Sequence, residues 1–562
     1  MARTNAIQTN FLSGELSPIL FGRVDTDRYT SGVETCENFI IKLHGGVERR
    51  GGTHYVAAVK DSTKKARLIR FEFNRAQSYV LEFGESYIRF FTQNGQVVSG
   101  GSAYEISSPY TEAQLDEIQV AQSADTMYIV HPDVAPRKLV RTSNTSWALT
   151  APSFTAPKWD ATDKYPRSVT FHQQRLWFGG TEGKPQTIFA SKSDDFENFT
   201  LGVNDDDALE YQIASYKVNT VEWMSSTEVL LVGTSGGEFK VTGGNAPLTP
   251  SNVQVTRQTS YGGKNIQPRH IGYQTLFVQG TGRSIRSYEY SWTNDSYDSE
   301  DLTFLANHIG DEGIKQMAYQ MAPDSILWCV LDNGVLAGMT YDKNRSIVGW
   351  HRHTTDGTFE SLAVIPQSTV DQVWVISKRT IGGVTKRYVE YLDPDLHVDS
   401  ALTYSGSAIT GITSGGLAHL EGKTVSILGD DAVVPNATVS SGNVSFGGAS
   451  VTKADIGLPF TSTLKTLAVE GGNPAGTAQG LQKRWNEIYV RLHDSFFPKI
   501  NGIRPPVRSP ATGMGTAEPK TTGDVRVRNE GVDLDGQVTI TQDLPGPTHL
   551  LSIFGTLSVN GG

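Results

Sequence analysis

Val229 to Gly243 reads VLLVGTSGGEFKVTG, two runs of mixed apolar and polar residues on either side of a Gly-Thr-Ser-Gly-Gly turn. Alternation at period two sets one face of an extended chain against a core. A glycine cluster between two such runs reverses the chain, so the stretch predicts a β-hairpin. The same design occurs at Ser78 to Phe91 (SYVLEFGESYIRFF), Thr126 to Arg141, Arg175 to Lys192, Thr275 to Tyr290, Ile326 to Asp342 and Val373 to Asp393. Taking Tyr79, Tyr128, Leu176, Leu230, Leu276, Leu327 and Val373 as anchors, the steps are 49, 48, 54, 46, 51 and 46 residues. Radial stacking of four-stranded sheets needs such a step, because each sheet hides its faces and edges only against its neighbours. The period therefore predicts a mainly β chain whose residues 61–395 form a degenerate β-propeller of six or seven blades. Stacked sandwich domains are the alternative source of regular hairpins, but they seldom keep so short a period through seven steps. No WD dipeptide recurs from hairpin to hairpin, and the kelch spacing is absent.

Outside the repeat, residues 1–60 read as a polar N-terminal arm, extended around Gly45-Gly46, Arg49-Arg50 and Gly51-Gly52. Residues 396–475 predict a small β domain, barrel or sandwich. Residues 476–562 predict a C-terminal β segment that joins the arm in a platform layer, broken by a Pro/Gly loop from Pro498 to Thr522. The few helical signals are short; Thr111 with Gln114 three positions on forms a capping-box pattern.

The chain has 562 residues, enough for about three or four domains. Its net charge of −10 disfavours a clamp on nucleic acid, which needs a positive field. No apolar run approaches the ~18 residues needed to span a bilayer, so no membrane insertion by this chain is expected. Met1 to Asn10 has no apolar core of a secretory signal, and the expectation is a protein that stays where it is made. Cys36 and Cys329 are too few for a disulfide framework or a thiolate zinc site and read as two reduced, buried thiols.

The search for chemistry returns little. No phosphate-cradling Gly-x4-Gly-Lys-Ser/Thr loop exists. Gly233-Thr234-Ser235-Gly236-Gly237 fits the nucleophile-elbow pattern, but Glu238 to Thr242 reads as a returning strand and not a helix, so the motif is taken as a turn. His351 and His353 share a strand face without a third ligand and read as ordinary exposed histidines. Asp194-Asp195 and Asp205-Asp206-Asp207 lack the spacing of a calcium loop and read as solvated. Trp177, Trp328 and Trp374 hold equivalent repeat positions and read as blade core. No catalytic, metal or cofactor residue is assigned. Of the basic clusters, Lys64-Lys65-Ala66-Arg67 reads as a solvated face, while Arg49 and Arg50 are kept as candidates for a contact between subunits.

Several segments in order resemble the tail tubular protein B, or tail nozzle, family of short-tailed bacteriophages (podoviruses). They are Asn10 to Val56 (NFLSGELSPILFGRVDTDRYTSGVETCENFIIKLHGGVERRGGTHYV), Leu115 to Arg141, Phe171 to Thr200, Asp205 to Ser215, Asp455 to Glu470 and Gly523 to Pro547. The resemblance implies a viral structural protein and not an enzyme. It implies a homohexamer around a channel, joined to a dodecameric head-tail adaptor ring and docking tail fibre or tailspike proteins. Double-stranded DNA would pass through the lumen without specific binding during ejection. The implied place is the virion tail, after assembly in the host cytoplasm. Two other readings stand beside it, a glycan-binding or glycan-cleaving propeller with an aromatic axial pocket and a generic propeller scaffold.

Overall fold

The computed structural model describes residues 2–214, 219–470, 477–506, 517, 519–528 and 531–560. Each of the seven predicted hairpins lies in a sheet of its own, and the first strands of the seven sheets line one common cavity. The seven innermost strands are Arg67–Asn74, Gln119–Ser123, Ser168–His172, Val221–Ser226, Arg269–Ile271, Ile314–Gln320 and Thr358–Gln367. The seven anchor residues all fall on the second strands, and all are buried. The fold is a seven-bladed β-propeller.

Its core is divided among the seams between blades. Phe71, Tyr79 and Phe90 of blade one pack with Met127 and Trp147 of blade two. Trp177 and Ile188 of blade three pack with Met224 and Val232 of blade four. Leu327 and Met339 of blade six pack with Leu276 and Ile285 of blade five. Trp374 and Ile376 of blade seven pack with Leu68 and Val80 of blade one, which closes the ring. A blade buries two faces, so its middle strands are apolar on both sides; Ile326–Leu331 and Leu230–Thr234 are buried at every position.

The fourth strand of blade seven comes from the other end of the chain. Gly52–Ala58 pairs antiparallel with Val384–Asp393. On its other side it runs parallel to Asp399–Ile409, which continues into Val451–Leu458, Thr424–Gly429 and Ala432–Thr438, an eight-stranded sheet in all. Gly52 is required there: a Cβ would lie 1.9 Å from the Val398 carbonyl oxygen.

Blade six is extended in the same way. Its outer strand Ile347–His353 pairs parallel with Gly14–Glu15 and Gly32–Glu37, and Ser462–Thr466, Thr539–Gln542 and Lys499–Ile500 complete nine strands. A further sheet places the C-terminal strand His549–Asn560 between Gln482–Ser495 on one flank and Ala2–Gln8 with Val47–Arg49 on the other. Phe11, Val33 and Phe39 from the N-terminal stretch share one apolar core with Trp485, Ile488, Ile540 and Leu557. Of the loop from Pro498 to Thr522, residues 507–516 and 518 lie outside the described residues.

Candidate functional site: a charged joint and the propeller axis

Arg49 ends the strand Val47–Arg49 of the platform sheet, and Arg50 leads from it toward Gly52–Ala58, the strand that closes blade seven. Both side chains are buried, 3% and 1% exposed. Arg50 makes a bidentate pair with Asp399, 2.7 Å for each N–H···O contact, and donates further to Asn38 Oδ1 and the Thr354 carbonyl. Arg379 forms a second pair of this kind with Glu390, both side chains fully buried. Thr355 donates to Asp399 while accepting from Arg379, and Thr53 donates to Glu390, so two cations and two anions form one network. Burial opposes ionisation of Asp399, yet Arg50 beside it holds the carboxyl below its usual range.

Arg49 is held differently. It donates to the carbonyls of Leu544, Gly546 and Phe460, and its guanidinium lies 4.3 Å from the centre of the Phe460 ring. Burial, with Arg50 adding like charge, lowers its pKa to about 9. Glu15 is a third tie: buried, it accepts from Arg352, His308 and the Cys36 amide, which links the N-terminal stretch to blade six and the short helix before it.

The expectation that Arg49 and Arg50 face another subunit therefore finds no surface in these side chains. They join the platform, the small β domain and blades six and seven inside one chain. Sequence reasoning missed their partners because Asp399 lies 349 residues from Arg50. Gly51-Gly52 was the available signal, since two glycines mark a place where backbones approach closely.

The axis of the propeller is the other candidate. A cavity of about 450 Å³ is lined by residues from all seven innermost strands. Near the strand starts glutamine side chains bridge from blade to blade. Gln267, leading into blade five, donates 2.7 Å to the Val120 carbonyl of blade two. Gln119 of blade two donates to the Glu222 carbonyl of blade four, and Gln316 of blade six reaches the Leu68 carbonyl of blade one. Leu68, Gln119 and Gln316 are buried, whereas Arg70 and His270, further along, are exposed. Gln267 and Arg70 both line this cavity, the axial cup. Arg67, Arg70 and Arg269 stand in its wall, and burial together with the other two arginines lowers Arg269 to about 9.

Other expectations can be placed. Cys36 and Cys329 are free and buried. Trp177, Trp328 and Trp374 sit inside blades. The Gly233–Gly237 stretch holds the turn, Ser235-Gly236, between Leu230–Thr234 and Gly237–Thr242. The acidic loop is tied down: Arg175 donates to the Asp205 and Asp207 carbonyls, and Lys192 pairs with Asp207. His351 and His353 require a correction. They share a strand face as expected, but both are fully buried against Trp328, 2.6 Å apart through Nδ1 and Nε2. Desolvation in that niche lowers His351 to about 3 and also holds His353 well below the ordinary range. Among the described residues no group of three or more His, Cys, Asp or Glu is placed to hold a metal, and no helix is long and apolar enough to cross a membrane.

No protein-family model matches the chain, and no curated protein does. Solved structures are similar in fold alone. The WD40 domain of Pan2 from Neurospora crassa is 9% identical over 61% of this chain and 95% of its own, with a TM-score of 0.34. The WD40 repeats of RRP9 are 8% identical over 61% and 99%, at 0.39, and U3-55K is 8% identical over 61% and 100%, at 0.38.

Proposed function

We propose that the chain is a structural subunit of a phage tail nozzle, a homohexameric ring that carries the DNA-ejection channel onward from the head-tail adaptor. The observation that supports this most is the course of residues 10–56, where the resemblance is longest. This stretch runs from the platform into blade six, back to the platform and on into blade seven, with Glu15, Arg49 and Arg50 fixing each passage. A ring segment that keeps its shape while a stiff polyanion slides through it needs domains that do not swing, and interleaved strands with buried charge pairs supply that stiffness. Charge agrees with conduction: six copies carry about −60, and an acidic wall repels phosphates instead of holding them. The glycan reading has less support, since Trp177, Trp328 and Trp374 are buried within blades and do not form an axial sugar platform.

The test is electron-microscopy class averages of the purified chain mixed with its candidate adaptor. Six-fold rings with an axial hole wide enough for duplex DNA are expected. Single discs that never associate, with or without the adaptor, overturn the reading.

A further inference from the structure

The fully buried arginines among the described residues are well supplied with partners. Arg50, Arg379 and Arg387 each face a carboxylate with two nitrogens, and Arg49 and Arg175 each donate to three carbonyl oxygens. Arg269 breaks that pattern. Half-buried in the wall of the axial cup, it spends Nε on the Met317 carbonyl at 3.0 Å. Among the described residues it forms no ion pair with a carboxylate, and the charges of Arg70 and Arg67 oppose its own.

Those two differ from it in kind. Arg67 has a structural task, donating to the Leu115 and Ile118 carbonyls that lead into blade two. Arg70 stands further along the wall, half of its side chain in water, with one contact of 3.1 Å to Glu72. Glu72 is itself engaged by its backbone with the Gln122 side chain. A guanidinium half withdrawn from water, with no carboxylate beside it and like charge nearby, is a costly arrangement for a protein to keep unless something of opposite charge comes to it. The hydroxyl of Ser225, hydrogen-bonded to His270 Nε2 at 2.9 Å, and that of Ser226, bonded to His172 Nδ1, add polar groups to the same wall. The volume, about 450 Å³, lies within the range of small-molecule sites, and Phe171 and Tyr319 give it apolar flanks.

We propose that the axial cup binds a small multivalent oxyanion, bearing phosphate or carboxylate groups, between Arg269 and Arg70. The planar, doubly donating face of arginine suits both oxyanion types. Arg70, the more exposed of the two arginines, marks the side from which the ligand enters. The site is a property of one chain and is independent of the ring reading.

The experiment is isothermal titration of the full-length chain at low salt with inorganic pyrophosphate and, separately, with citrate. At least one of them is expected to bind saturably, one per chain, with Kd below about 1 mM. Arg269→Gln is expected to weaken binding by roughly tenfold or more, Arg70→Gln by several-fold, and added salt to weaken it further. Pyrophosphate alone binding assigns a phosphate ligand, and citrate alone a carboxylate. If Arg269→Gln fails to fold, the exposed Arg70→Gln variant decides. Absence of saturable binding by both anions, or binding unchanged in the variants that fold, overturns the proposal.

Discussion

Blades two to five are separate four-stranded sheets that meet their neighbours through side chains and connecting loops, whereas blades six and seven continue by backbone hydrogen bonds into sheets of nine and eight strands. The seams differ as well. Between blades four and five the buried apolar core is Trp223, Leu231, Phe277 and Tyr288, while the five–six seam includes Leu276, Ile285, Ile309, Leu327, Met339, Tyr341 and Trp350 among others. The first half of the ring is a set of modules, and the second is part of a larger body. In a closed ring of this kind local opening starts where the seam is smallest and ends where strands are shared.

The largest effect is expected at the joint. Arg50→Ala leaves Asp399 buried without its cation, which costs about 3–5 kcal/mol. Chemical denaturation should show a lower midpoint, and hydrogen exchange should rise together in Gly52–Ala58, Val384–Asp393 and Asp399–Ile409, the strands that Arg50 and Asp399 hold together. A loss below 1 kcal/mol breaks the idea that this network fixes the fused half. An exposed pair serves as the control, since Arg345→Ala against Asp342 is expected to cost under about 1 kcal/mol.

Next come two tryptophans of equal burial in unequal seams. Trp223→Ala and Trp374→Ala each remove a fully buried indole, and each is expected to cost about 3–4 kcal/mol. Their readouts should differ: exchange protection falls only in blades four and five for Trp223→Ala, but across blades six, seven and one for Trp374→Ala. Identical exchange patterns would erase the distinction between modular and fused halves.

The third is a pH effect, the smallest of the three near neutral pH. His351 and His353, and also His397, are kept neutral by burial, with pKa values depressed below the ordinary 6.5. A depressed histidine contributes fully above its unfolded value and loses that contribution as pH falls, because the unfolded chain takes up the proton first. Stability should therefore fall from pH 6.5 toward 3, by about 1.4 kcal/mol per unit for each such group at most. His353→Gln should flatten the slope between pH 6.5 and 4. An unchanged slope would mean that carboxylates, and not the niche against Trp328, govern acid unfolding.

Much of this architecture is legible before any coordinates. The anchors from Tyr79 to Val373 land on the second strand of every blade because a middle strand buried on both faces must be apolar, and its period survives when no motif does. Gly233 to Gly237 and the three repeat tryptophans read correctly for the same local reason. His351 and His353 read half correctly. Their shared face follows from period two, but their burial depends on Trp328 in the next strand but one. Arg49 and Arg50 look like solvent-facing charge in a glycine-rich arm, and nothing near them in sequence names Asp399, Leu544 or Phe460 as partners.

The repeat, the β class and the buried faces are written locally, because alternation and turn chemistry act over a few residues. Tertiary structure alone decided which end of the chain completes blade seven, which charges are buried in pairs and that Arg269 stands among arginines without an acid. These depend on groups hundreds of residues apart meeting where water is excluded, and a buried charge is tolerated only by the partner that the fold brings to it.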